Sequence, residues 1–318
     1  MRMIVMTFPR AAAAVACAAA IAVPTLAACG GSAGAGEPHT VSVAASFYPM
    51  AYAVQQIGGD HVTVTSLTPN GAEPHDIELT PKEVLAVSQA DLVVYAKGFQ
   101  ASVDKAVQTE APKKALNVAT AANLDLSLDS VDQVAGQPLN QSDTHGTDPH
   151  FWLDPTRYAK VARDIAARLE SVDPTHKAAY AAGLKTFTSR LTALDRSYTA
   201  TLKTCRIKDI VTSHAAFGYL AQHYGMTEVG VSGIAPDQMP TPGRLQAVSN
   251  FVTAHHVTTI YSETLASPAV AQTIARQTGT KVKVLDPIEG ITDTSAGKDY
   301  FAIMRANLAT LKSSQECN

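Results

Sequence analysis

The stretch DPTHKAAYAAGLKTFTSRLTALDRSYTATLKT, Asp173 to Thr204, decides the fold. Tyr180, Leu184, Phe187, Leu191, Leu194, Tyr198 and Leu202 recur at steps of mostly four and three, which draws one apolar stripe along a continuous helix. Asp173-Pro174 marks its start, because a cap carboxylate accepts a free backbone N–H and proline needs no donor in the first turn. From Pro174 to Thr204 such a helix runs roughly 45 Å at 1.5 Å per residue. It divides the chain in two. Short β-branched runs lie before it at 41–43, 62–65 and 92–95, and after it at 210–212, 258–261 and 282–285. Helical patterns separate most of them, and that alternation implies parallel sheets. The expected fold class is α/β: two lobes with parallel β-sheets flanked by helices, joined by one long rigid α-helix. A single stiff connector permits less hinge motion than several flexible strands.

Helix starts elsewhere follow the same cap-then-proline form. Thr80-Pro81 carries Glu83 at the third helical position, a capping box; Asp154-Pro155, Thr241-Pro242 and Ser267-Pro268 repeat the form without it. Residues 126–147 are polar and aperiodic and read as a long mobile loop, functional or disordered.

The first residues are not fold. Arg2 and Arg10 precede or flank an Ala-rich apolar run too short to span a membrane. Leu26-Ala27-Ala28-Cys29 resembles a bacterial lipobox, in which the signal peptide is cut before the cysteine and the thiol carries lipid; the alternative is a plain secretory signal with an incidental Cys29. The expected segments are a signal peptide at 1–28, a lipidated tether at 29–40, an N-terminal lobe at 41–172, the linking helix at 173–204 and a C-terminal lobe at 205–318. Cys17 leaves with the signal, so Cys205 and Cys317 remain. Two thiols in an exported chain read as one disulfide.

Apolar residues make up 46% of the 318-residue chain and charged residues 17%, enough for an ordinary core. The formal charge of −3 offers no basic footprint for nucleic acid. No H-E-x-x-H helix, G-x-S-x-G elbow or phosphate-binding G-x-x-x-x-G-K-[ST] loop occurs, which agrees with a binding protein rather than an enzyme.

Four residues stand out by position. His75 follows the 62–67 run through a Pro- and Gly-containing loop, His150 lies in DPHFWLDP at 148–155, His214 directly follows 210–213, and Asp286 ends the 282–285 run. Ligands of open α/β sheets bind beyond the carboxyl ends of strands, so two groups from each lobe converge on the interlobe cleft. Any one of them has an ordinary explanation. His214 could sit in the first turn of a helix at 215–224, and Asp286 could be a turn residue before Pro287. Four at equivalent strand ends point to a divalent metal held by three imidazoles and one carboxylate. Glu263, at the end of 258–262, is the alternative fourth ligand. A shell completed by protein leaves no position for an activated water, against hydrolysis. His39, His61, His145, His176, His223, His255 and His256 read as solvated. Trp152, the only Trp, reads as a packing residue beside His150.

These motifs carry a resemblance. GAEPHDIELTP at 71–81, DPHFWLDP at 148–155, TSHAAFGYL at 212–220 and LDP at 285–287 resemble, in order, the four ligand motifs of the metal-binding (cluster A-I) solute-binding proteins of ABC transporters. The similarity runs from about Val41 to Leu311. It implies a monomeric extracytoplasmic lipoprotein that captures Zn2+ and delivers it to a membrane permease driven by a cytoplasmic ATPase. Manganese members carry Glu in the third motif, whereas His214 stands here, and imidazole suits zinc. The rivals are a manganese or iron receptor of the same fold, a surface adhesin, and a metallohydrolase. Many zinc members have a His-rich loop before the second motif; the 126–147 segment offers only His145. Zinc binding is expected to weaken below about pH 6, where protons compete for imidazole.

Overall fold

The computed structural model describes residues 40–127 and 147–318. The expected signal peptide, most of the tether with Cys29 and His39, and residues 128–146 with His145 lie outside the described residues. Among the described residues, no helix is long and apolar enough to cross a membrane.

The first lobe runs β1 (Val41–Ala45), α1 (Tyr48–Gly58), β2 (Val62–Ser66), α2 (Pro81–Gln89), β3 (Leu92–Tyr95), α3 (Ala101–Glu110), β4 (Ala115–Asn117) and α4 (Ala119–Ala122). Next come α5 (Pro155–Val172) and the long helix α6 (Lys177–Leu202). The second lobe runs β5 (Asp209–Thr212), α7 (Gly218–Tyr224), β6 (Thr227–Gly230), α8 (Pro242–Ala254), β7 (Thr259–Ser262), α9 (Ala269–Thr278), β8 (Lys281–Val284) and α10 (Tyr300–Ser314). Both four-stranded sheets are wholly parallel, ordered β2-β1-β3-β4 and β6-β5-β7-β8, so each lobe repeats one topology.

Alternation along the central strands divides their side chains between two layers. Val43, Ala45, Leu92 and Val94 face a core that also holds Ile210 and Tyr261 of the second sheet. Ala44 and Val93 face the α2–α3 layer, and Val211 and Ile260 face the α8–α9 layer. One apolar core therefore runs through both lobes. The α6 stripe lies in it: Tyr180, Phe187, Leu191, Leu194, Tyr198 and Leu202 are buried, and Leu184 partly so. Gly183 sits mid-helix, where glycine costs about 1 kcal/mol against alanine, because α1 crosses there. A Cβ at Gly183 would stand 2.3 Å from the Ile57 carbonyl oxygen.

Several expectations shift. Residues 174–176 form a 3₁₀ turn, and Asp173 takes the Tyr180 hydroxyl (2.7 Å) and His176 Nδ1 (2.6 Å) instead of capping the backbone. Asp154 does cap α5, accepting from the Thr156 and Arg157 amides. The helix expected at 215–224 begins only at Gly218, so His214 lies in the turn before it. Strands β4 and β6 gave no readable run. The first has three residues at a sheet edge, and the second carries a buried glutamate, Glu228. Cys205 and Cys317 are disulfide-bonded, which ties the C-terminus to the start of the second lobe.

Candidate metal centre

Each of the three histidines sits on irregular backbone fixed locally. His75 lies in the loop between β2 and α2; its amide donates to the Glu73 carboxylate (3.0 Å) and its ring stands edge-on to Phe99 (centroids 4.7 Å). His150 follows Asp148, whose Oδ1 accepts both the His150 amide and Nδ1 at 2.8 Å. His214 follows β5, and its Nδ1 meets the Glu263 carboxylate at 2.8–2.9 Å. In each of the last two, a carboxylate takes one ring nitrogen and turns Nε2 inward, the arrangement that orients metal-binding imidazoles.

The fourth group at the centre is Glu289, not Asp286. Glu289 Oε1 lies 3.2 Å from His75 Nε2, 3.0 Å from His150 Nε2 and 3.4 Å from His214 Nε2. His75 Nε2 and His150 Nε2 are 3.3 Å apart. Zinc bonds of ~2.0–2.1 Å in a tetrahedron give ligand–ligand edges of roughly 3.3–3.4 Å, close to these four distances, and all four donor atoms lie within 4.8 Å of one another. His214 Nε2 is buried without a hydrogen-bond partner, as a donor atom aimed at an ion would be. Among the described residues, this is the one cluster of three or more His, Cys, Asp or Glu side chains able to hold a metal ion. His150, His214 and Glu289 are sealed from solvent, and the His75 side chain keeps 6% exposure.

Asp286 and Glu263 act one step out. Asp286 Oδ1 accepts from the Ile288 amide (2.8 Å), and the Asp286 backbone is clamped by Asn307 on both its N–H and C=O. Ile288 holds φ at +58°, a left-handed conformation that a β-branched residue avoids. That turn swings Glu289 toward the histidines. Trp152 of the first lobe secures it, donating Nε1–H to the Pro287 carbonyl at 2.7 Å. Glu263 holds Ser213 Oγ (2.7 Å) and the outer nitrogen of His214. The readable signal for Glu289 was an acid beside Gly290, two residues past the motif; nothing local marked it above Asp286.

Electrostatically the cluster is balanced by Glu289. Burial alone would raise its carboxyl, but the three imidazoles hold it well below the ordinary range. Burial lowers His75, and Glu289 only partly offsets it. Burial also opposes charge on His150, yet hydrogen bonds to Asp148 and Glu289 outweigh it and push that imidazole up to about 9. His214 is likewise raised by Glu263 and Glu289 against burial. Burial pushes Asp286 up.

A family model described as "Zinc-uptake complex component A periplasmic", ZnuA, matches residues 43–314. The chain belongs to the ZnuA family. It is similar to the high-affinity zinc uptake system protein ZnuA of Bacillus subtilis strain 168, with 34% identity over 297 residues that cover 91% of this chain and 93% of that one. Against curated streptococcal AdcA proteins it spans about half the relative's length, 55%. Its fold matches the Zn(II)-bound ZnuA-like domain of Streptococcus pneumoniae AdcA at TM-score 0.70 and 31% identity, covering 87% of this chain and 99% of that domain. It also matches the laminin-binding protein Lmb of Streptococcus agalactiae, described as bifunctional with adhesin and metal transporting activity, at TM-score 0.72 and 32% identity, covering 86% and 99%. ZnuA proteins are solute-binding components of zinc uptake.

Proposed function

We propose that this protein captures Zn2+ outside the cytoplasm through His75, His150, His214 and Glu289 and delivers it to the permease of an ABC transporter. The observation that carries the reading is the convergence of three Nε2 atoms and one carboxylate oxygen, from both lobes, within 4.8 Å of one another. Three imidazoles favour zinc over manganese, and no thiolate takes part. The ion is cargo: a closed four-donor shell gives no open position for an activated water. The chain works as a monomer, with the signal peptide at 1–28, lipid on Cys29, and lobes at 41–172 and 205–318 about the linking helix. Release proceeds through the His75 arm, whose loop lacks regular structure and whose side chain is the most exposed of the four.

The test is a zinc titration monitored by chelator competition. Wild type should bind one equivalent. Glu289→Gln should cost more than the ~10–100-fold typical of losing an outer partner, and Asp286→Ala no more than that range. The reverse order would make Asp286 the ligand, and equal affinity in wild type and His214→Ala would remove His214. The likeness to Lmb supports a second reading, adhesion. Binding to laminin that survives chelation would establish it, and its absence would leave transport alone.

A further inference from the structure

Glu228 is a buried carboxylate in β6, where an apolar side chain would be ordinary. Its Oε1 accepts from Thr212 Oγ1 (2.8 Å), the Ala216 amide (3.2 Å) and the Phe217 amide (3.0 Å), and Oε2 shares the Phe217 amide at 3.0 Å. These donors bracket His214 in sequence. One side chain thus staples both ends of the turn that carries the ligand, while Glu263 holds its ring.

Gly218, the first residue of α7, lies beside this staple. A Cβ there would stand 2.6 Å from Asp148 Oδ2, 3.2 Å from Leu126 Cδ1 and 3.7 Å from Glu228 Oε2. Asp148 cannot yield freely: its other oxygen holds the His150 ring and amide, both at 2.8 Å, and its own carbonyl accepts the Tyr219 hydroxyl at 2.9 Å. The carboxylate behind His150 and the carboxylate behind His214 therefore meet over one missing methyl group, across the lobe boundary.

We propose that Gly218 and Glu228 are positioning residues that fix the spacing between the His150 arm of the first lobe and the His214 arm of the second. Neither touches the ion. The inference rests on the ligand set above. An added Cβ at 218 drives Asp148 outward and drags His150 with it. Functional constellations tolerate only about 0.5 Å of such displacement. Loss of the Glu228 acceptors frees two amides and a hydroxyl, and the His214 turn relaxes.

Gly218→Ala, Glu228→Ala and Glu228→Gln, each in the full chain, test this with three readouts: zinc affinity, the visible absorption of the Co2+ form, and thermal stability without added metal. Gly218→Ala and Glu228→Ala should each bind zinc ~10–100-fold more weakly and show a changed cobalt spectrum. Glu228→Gln keeps an oxygen for the same three donors and should restore affinity to within about threefold of wild type, inside the loss expected of a broken outer contact. Wild-type affinity and an unchanged spectrum in both alanine variants would overturn the proposal, even if their melting temperatures fell. So would Glu228→Gln as defective as Glu228→Ala. If Gly218→Ala does not fold, the two Glu228 variants decide. A wild type that takes up no zinc would remove the ligand set and this inference with it; zinc-binding wild type with unmoved variants would remove the inference alone.

Discussion

Ile288 illustrates how much one residue decides. A left-handed backbone costs a non-glycine residue about 1–2 kcal/mol, and here Asp286, Asn307 and Trp152 hold it in place. The rule that ligands sit just past strand ends led to His75, His150 and His214, whose Nε2 atoms the structure gathers, and equally to Asp286, which it leaves behind the site. Glu289 was not legible because its placement depends on partners 21 and 135 residues away from the loop atoms they hold. His150 is pushed up to about 9 and His214 is also raised, which favours their protonated forms, while burial lowers His75 and favours its neutral form. Zinc requires neutral imidazole, and binding should therefore release up to about two protons near pH 7. Calorimetry in buffers of different ionisation enthalpy measures the number; no buffer dependence would contradict this protonation pattern.

The elements were legible where periodicity was long or strands were β-branched, as in α6 and the two central strands. They were illegible where tertiary contacts overrode local signals. Asp173 leaves its cap for the Tyr180 hydroxyl, and β6 hides its glutamate because the His214 turn supplies the donors. Contacts between elements also carry a pH dependence. His223 on α7 lies 3.3 Å from Asp154, the cap of α5, and 3.0 Å from Asp195 on α6. The Asp154 hydrogen bond, with Asp195 adding to it, outweighs burial and raises the imidazole. A raised value means that folding favours the protonated form. The gain is complete below the unfolded histidine value of about 6.5 and fades as pH rises through the folded value. His223→Ala should therefore lower the melting temperature more at pH 6 than at pH 8.5. An equal loss at both would show that the two ion pairs contribute nothing to stability.

At the scale of the whole molecule, the two lobes share one core through α5, α6 and α10, so they unfold together. The Cys205–Cys317 bond adds to this by closing a span of 112 residues. Loops of that size imply about 2–5 kcal/mol from the restricted unfolded chain. Replacing both cysteines with serine should lower the denaturation midpoint of the second lobe and the first alike, in one transition. Two separate transitions would mean that the shared core does not couple the lobes.

The sealed centre has a consequence for how an ion leaves. With His150 and Glu289 closed off, His214 nearly so and only an edge of His75 open, a chelator in solution has little approach to a bound ion. A three-body exchange complex cannot form, and departure must wait for the protein to open by itself. Zinc loss should thus be first order, and its rate should level off as chelator concentration rises. A rate that climbs in proportion to chelator throughout would mean that the ion can be reached while still fully held.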